Sequence, residues 1–361
     1  MADAFGANRA GRKLVLLALL LAAGMPVLAA PHVPDDLARC GPIPPAPVDL
    51  QVSGFYADSG NDGPAARIDP ARYARYLEAI APLTAWGQRI NQQSDRYLQS
   101  GDHAQARCAL AFLDDWAQAG ALLGQMGDEA AQRQGEYERQ WHLAQAAAVY
   151  FKVMALATPA QDARIRHWLA QLAQPVKAFW DHPRRQKNNH YAWSGVGVMQ
   201  TSFLNANPAD RRWARQVFDE VLDGLRPDGF HPAELRRGSK ALHYHLFMLA
   251  PLLHMAKLSQ LSGENWLADA RLQRMIAAVS QAAEDPSIME KITGKVQESF
   301  AGHPWGWGCF LILPDDDPRQ RRFKALIRSG QGSPSVRYLG GNQALLRMRV
   351  DQCLAQACAL P

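Results

Sequence analysis

Two stretches of this chain gather amide, imidazole, phenol and guanidinium groups more densely than core packing requires. Residues 187–193 carry Asn188, Asn189, His190, Tyr191 and Trp193 in a loop passing into a helix start. Residues 234–245 carry Glu234, Arg237, His243, Tyr244 and His245 in a loop feeding a strongly apolar helix. Together they suit the removal of a proton next to a carboxylate and the expulsion of an oxygen from the neighbouring carbon, the elimination that opens a uronate polymer. A carboxylate resists further negative charge, so the site needs donors aimed at its oxygens, which an Asn amide and an Arg fork supply. A base must take the proton and an acid must protonate the departing oxygen. A His fits near neutral pH, and a Tyr such as Tyr244 fits once a neighbouring cation lowers its pKa.

Spacing sets limits on this reading. Arg237 and Tyr244 are seven apart, which on one helix puts them on one face about 10 Å apart along the axis, suited to gripping a sugar rather than to direct pairing. Taken alone, such a pair is equally ordinary on a surface or in a core. His243 and His245 invite a metal reading, but on a helix their side chains diverge and no further ligand follows at helical spacing, so no metal site is expected. One of them should line a cleft beside Tyr244 while the other is satisfied in the interior. A glycoside hydrolase would instead need two carboxylates across the cleft; Glu234, Asp228 and Asp58 are the candidates.

The elements that must position these groups are helical. Asp69 caps a helix with Pro70 in its first turn, carrying Tyr73, Tyr76, Ile80, Leu83 and Ile90 and ending at Gly101. Asp102 caps a second helix with Leu110, Leu113, Ala117 and Ala121, and Gly127-Asp128 turns into a third running through Trp141 and Tyr150. Thr158-Pro159 opens a fourth with Ile165, Leu169, Leu172 and Val176. Further helices are predicted over residues 189–204, 208–225, 239–261 and 265–283, separated by turns such as Asn207-Pro208. Trp86, Trp116 and Trp168 at helical spacing read as core. Residues 315–324 mix aspartates with arginines and read as a solvated loop and helix start. No strand-period alternation, internal repeat or mid-chain linker is present. The expected fold is therefore all-α, an α/α toroid (an incomplete α/α barrel) in one domain over residues 31–361, because there are too many helices for one bundle core.

The first thirty residues stand apart. Arg9, Arg12 and Lys13 precede an apolar run over residues 14–23 and then Val27-Leu28-Ala29, the pattern of a secretory signal peptide rather than a membrane span. The expected location is periplasmic or secreted, with no membrane attachment after signal removal. The chain has 39 basic and 34 acidic residues, a net charge of +5. Removing the signal segment, with three basic residues and Asp3, leaves +3. That balance is compatible with an anionic partner, and the export signal with the lack of any nucleic-acid-binding pattern disfavours DNA or RNA. Five cysteines permit two disulfides in an exported chain, with Cys40–Cys108 and Cys353–Cys358 the expected pairs and Cys309 left free and buried.

The two motifs in register carry a resemblance. Asn189-His190 with Trp193, then Arg237-Gly238 with Ala241-Leu242-His243-Tyr244-His245, 54 residues separating His190 from Tyr244, resemble family 5 of the polysaccharide lyases, the mannuronate-type periplasmic alginate lyases. Residues 53–58, Asp95-Arg96-Tyr97-Leu98, Arg139-Gln140-Trp141 and Asp228-Gly229 with Pro232 and Glu234 agree with it. The resemblance runs from about Cys40 to Leu261. It implies an α/α toroid, an acidic polysaccharide substrate, no cofactor or metal, and a monomer. It implies that Asn189 and Arg237 neutralise the substrate carboxylate, that His190 assists or performs proton abstraction, and that Tyr244 protonates O4 and also serves C5. Trp193 would offer a stacking surface, with Tyr137, Arg139, Tyr191 and His243 at neighbouring subsites. The chain departs from the family in lacking a Lys over residues 54–60, where Ser59 takes the equivalent place as a substrate contact, and in having Ala192 for an aromatic. These departures bear on which uronan is taken, mannuronate-rich or glucuronate-containing, and leave room for a catalytically weak exported polysaccharide-binding protein.

Overall fold

The computed structural model describes residues 39–57, 65, 67–127, 132–298, 307–356 and 358. The signal segment, Asp58 and Ser59 lie outside the described residues.

The cap signals place the helices as read. Asp69 accepts from the Arg72 amide at 2.8 Å and Asp102 from Ala104 at 2.9 Å, while Thr158 and Gln161 form a reciprocal capping box. The first predicted helix is in fact two, α1 (Pro70–Ala79) and α2 (Ala81–Ser100). Pro82 has no N–H to return to the preceding turn, so the chain breaks at Ile80 and starts again. α3 (His103–Ala119), α4 (Gln132–Val153), α5 (Pro159–Trp180), α6 (Asn189–Leu204) and α7 (Pro208–Asp223) follow. A single turn, α8 (Pro232–Leu235), precedes α9 (Ala241–Leu258), which starts two residues later than predicted because Gly238–Lys240 form a tight 3-10 turn. α10 (Ala270–Glu284) and α11 (Ser287–Thr293) follow.

These helices form two layers. α2, α4, α6 and α9 pack side by side as an inner row, and α3, α5, α7 and α10 back them from outside. Among the described residues no further helix pair closes the inner row, and the architecture is the expected all-α, incomplete α/α toroid. The layering explains the sequence patterns. Outer α7 buries Ala214, Val217, Phe218, Val221 and Leu222 on one stripe, whereas inner α6 and α9 are buried nearly all round. Gly195 is required for this: a Cβ there would sit 2.7 Å from Val217 Cγ1, so only glycine lets α6 and α7 approach so closely. Trp86 and Trp116 stack at 3.9 Å in the interior, with Trp168 edge-on, as core residues.

The carboxy-terminal part returns across the inner row. A 3-10 stretch (Trp307–Ile312), α12 (Pro318–Arg328, capped by Asp317), a two-residue antiparallel pair β1 (Ser335–Val336) and β2 (Gly341–Asn342), and α13 (Gln343–Gln356) make up this part. The strand pair was not predicted, being too short to show a period. Both expected disulfides are present, Cys40–Cys108 tying the amino-terminal segment to α3 and Cys353–Cys358 closing a small loop, with Cys309 free and buried. Among the described residues no helix is long and apolar enough to cross a membrane.

Candidate active site

One cleft of about 900 Å³ opens at one end of the inner row. It collects residues from α4, the start of α6, the turn before α9, the segment around Tyr56 and the carboxy-terminal Arg337-Tyr338. His190, Arg237, His243 and Tyr244 all line it, and so does Tyr137. The burial pattern singles out two of these. Every residue of α6 is buried except His190, and every residue of α9 is buried except His243 and Lys257.

His190 is fixed on all sides. Asn188 caps α6 by accepting from the His190 amide at 3.0 Å, and the His190 carbonyl accepts from Gln140 Nε2 at 3.0 Å. The imidazole stacks flat on Tyr137, centroids 3.7 Å apart, with Phe247 edge-on. Its Nδ1 is sealed in without a hydrogen-bond partner among the described residues, which leaves Nε2 to meet a ligand. Burial, then the charges of Arg237 and Arg133, push its pKa well below the usual histidine value, so the resting ring is neutral and able to accept a proton.

The opposite wall is built on the turn that starts α9. Gly238 at φ +57° lets the chain reverse, and Gln297 holds the turn by donating to the Gly238 carbonyl at 3.1 Å while accepting from Leu242 N at 3.0 Å. The reversal corrects the expectation that Arg237 and Tyr244 stand one above the other on a helix face. Arg237 instead folds over the Tyr244 ring, 4.6 Å from Cζ to centroid. The Tyr244 hydroxyl meets the Tyr56 hydroxyl at 2.7 Å. Its pKa is not lowered as expected. Burial, then Tyr56, raise it well above the usual value, and the opposing effect of Arg237 is smaller, so the phenol holds its proton at rest.

Glu234 stands behind both walls, fully buried. One oxygen accepts from the Asn189 backbone N–H at 2.9 Å and the other lies 3.4 Å from Arg237 Nε. This arrangement removes Glu234 from the role of a free cleft carboxylate; Asp228, at the surface, pairs with Arg226 at 2.7 Å. Asn189 is fully buried, one layer beneath the cleft lining, with neither side-chain amide atom in a hydrogen bond of ordinary geometry; burial raises the Glu234 pKa above the usual carboxylate value, and Arg237 and Asn189 oppose that rise.

Three of the expected substrate contacts are elsewhere. Trp193 is wholly buried and donates to the Phe247 carbonyl at 2.9 Å, so it is core rather than a stacking surface. Tyr191 is buried on the far side of α6 under Lys187, which lies 3.9 Å above its ring. Arg139 is buried, paired with Glu136 at 2.8 Å and donating to the Leu122 and Gly124 carbonyls, where it ties a loop to α4. His245 is the satisfied interior histidine: Nδ1 donates to the Ala241 carbonyl at 2.7 Å and Nε2 accepts from His231 N at 2.9 Å.

Sequence reasoning missed Tyr56, although it lies in one of the matched stretches, and weighed Glu234 only as a hydrolytic carboxylate. It also missed the charge of the cleft. Arg133, Arg185, Arg236, Arg237, Lys240 and Arg337 line it, and among the described residues no carboxylate does. Such a lining attracts and holds a polyanion.

Comparisons with known proteins identify the family. Residues 57–289 match the Alginate lyase family. A polysaccharide lyase of Stenotrophomonas maltophilia is 38% identical over 280 residues, covering 77% of this chain and 83% of that protein. An alginate lyase of Pseudomonas fluorescens is 30% identical over 278 residues, covering 73% and 72%. Among solved structures, a complex of alginate lyase A1-III with a tetrasaccharide superposes with a TM-score of 0.70 at 21% identity, covering 88% of this chain and 91% of that one. The chain thus belongs to the alginate lyase family and is a polysaccharide lyase.

Proposed function

We propose that this enzyme cleaves a β-linked uronan by β-elimination, with mannuronate-rich alginate its first substrate and glucuronate-containing polymers next. The observation that carries the reading is the convergence of His190, Arg237 and Tyr244 on one cationic cleft. Arg237 neutralises the carboxylate of the sugar being cut, which makes the C5 proton removable, and Asn189, buried beneath the lining, acts only by holding Glu234 through its backbone N–H. Neutral His190 takes that proton through Nε2, and protonated Tyr244 delivers its own to O4 as the glycosidic bond breaks and the C4–C5 double bond forms. The 2.7 Å contact with Tyr56 supports a second reading, in which Tyr244 serves both steps and its transient phenolate is held by the Tyr56 hydroxyl and Arg237.

The solved complexes add support of their own. The tetrasaccharide complexes of alginate lyase A1-III were obtained with a Tyr-to-Phe and a His-to-Ala variant, and the two altered positions are 54 apart, as are His190 and Tyr244 here. The signal-like first thirty residues and the two disulfides support export to the periplasm.

Elimination creates a conjugated double bond, whereas hydrolysis or simple binding does not. Incubating the mature protein with polymannuronate, polyguluronate and glucuronan should raise ultraviolet absorbance, fastest on polymannuronate. Reducing ends released without that absorbance, or none at all, would overturn the proposal.

A further inference from the structure

The cleft carries cations on both sides of His190, and the chemistry above uses only one side. Arg237 belongs to the Tyr244 wall. Arg133, in the first turn of α4, and Arg185, in the turn before α6, line the same cleft from another side. Among the described residues neither forms an ion pair with a carboxylate. The acid whose field reaches Arg185, Glu136, already gives both oxygens to Arg139 at 2.8 Å.

The placement is unfavourable without an anion. The charge of Arg133 opposes that of Arg185, and a cation in the first turn of a helix adds to the positive end of the helix dipole instead of offsetting it. Arg185 is nevertheless held in position, its guanidinium 3.6 Å above the Phe179 ring and its Nε donating to the Phe179 carbonyl at 3.3 Å. The pair is also close to the reacting centre. Arg133, Arg185 and Arg237 all act on the hydroxyl of Tyr137, the ring stacked on His190. Tyr137 therefore lies within the field of both cationic groups.

We infer that Arg133 and Arg185 form a second carboxylate subsite, taking the uronate adjacent to the sugar held by Arg237, so that the enzyme selects polymers with carboxylates on consecutive sugars over those alternating uronate with an uncharged sugar. The inference rests on the reading that Arg237 holds the carboxylate of the sugar being cut. Planar guanidinium groups suit it, because they grip carboxylates in a fixed geometry that lysine does not reproduce.

Binding separates this subsite from the chemistry. In a Tyr244→Phe background, calorimetry with a mannuronate hexasaccharide and a hyaluronan hexasaccharide should show the homopolymer bound at least about tenfold more tightly, the scale of one lost charge-assisted contact. Adding Arg133→Gln and Arg185→Gln should remove most of that preference by weakening the homopolymer alone, and Lys at both positions should restore part of it. Arg133 is exposed, so Arg133→Gln by itself tests the same point without risk to the fold. Equal weakening of both ligands, or of neither, would overturn the subsite. Absence of unsaturated product from the unmodified enzyme would overturn β-elimination and leave this binding preference to be judged separately.

Discussion

The two ends of α4 put charge to opposite uses. At its last turn Lys152 is wholly buried, bonded to Asp95 of α2 at 2.5 Å and to the Gly340 carbonyl, while the other Asp95 oxygen accepts from Asn342 N at 2.9 Å. One ion pair thus clamps the carboxy-terminal strand pair onto two inner helices, with a cation at the helix end that favours it. At the first turn, some 30 Å away at roughly 1.5 Å per residue, Arg133 lines the cleft with no acid paired to it among the described residues. A charge that is fully matched inside the protein holds the chain together; a charge left unmatched beside reactive groups is matched by what binds.

The largest effects should separate the two ends cleanly. His190→Ala should lower kcat/KM by about a thousandfold while leaving the thermal midpoint near its original value, because the loss falls on proton transfer. Lys152→Met should do the reverse. Removing one partner of a buried pair costs about 3–5 kcal/mol of stability because Asp95 is left uncompensated, and the fraction that stays folded should keep its kcat. Denaturant titration beside the absorbance assay measures both. A His190→Ala protein that melts early, or a Lys152→Met protein that folds normally but turns over slowly, would break the comparison.

Glu234 sits between the two cases, a carboxylate matched inside the protein that serves the cleft. Glu234→Gln keeps the shape but removes the charge behind Arg237 and weakens the hold on Asn189 N. It should cost about ten- to a hundredfold in kcat, with KM less affected and stability little changed. A purely structural role would show the opposite split, a lowered thermal midpoint with kcat intact.

What the sequence made legible follows the same division. Capping residues, proline at helix starts and the cysteine pairs are local signals, and Asp69, Asp102, Thr158 and both disulfides were readable from them. His243 and His245 were correctly separated because two positions on a helix diverge by about 200°. That rule, applied to Tyr137 and Arg139, would have shown that both could not line one cleft; Tyr137 does, and Arg139 goes to the Glu136 side. Trp193 and Tyr191 were harder. α6 is apolar nearly all round, so its sequence has no polar stripe to mark the side facing the cleft, and only the packing of α4, α5, α7 and α9 around it leaves His190 uncovered. Tyr56 meets Tyr244 across 188 residues, a contact no spacing rule reaches.

The smallest predicted effect tests whether Arg133 belongs electrically to the reacting centre. His190 is held neutral by burial first, then by Arg237 and Arg133, all of which disfavour its protonated form. Activity that needs the neutral ring should therefore persist as pH falls below the ordinary histidine range, and fail only when the imidazole is finally protonated. Removing a neighbouring positive charge makes that protonation easier, so Arg133→Gln should move the acid limb of log kcat/KM upward, by about half a unit for one partly screened charge. Substitution of Arg139, equally cationic but matched by Glu136 and absent from the cleft lining, should leave the limb in place. On the alkaline side, a plateau past neutral pH identifies His190 as the base, and a rise with unit slope toward the elevated Tyr244 pKa identifies the phenolate. If the Arg133 and Arg139 variants gave the same shift, the distinction between matched and unmatched charge at this end of α4 would fail.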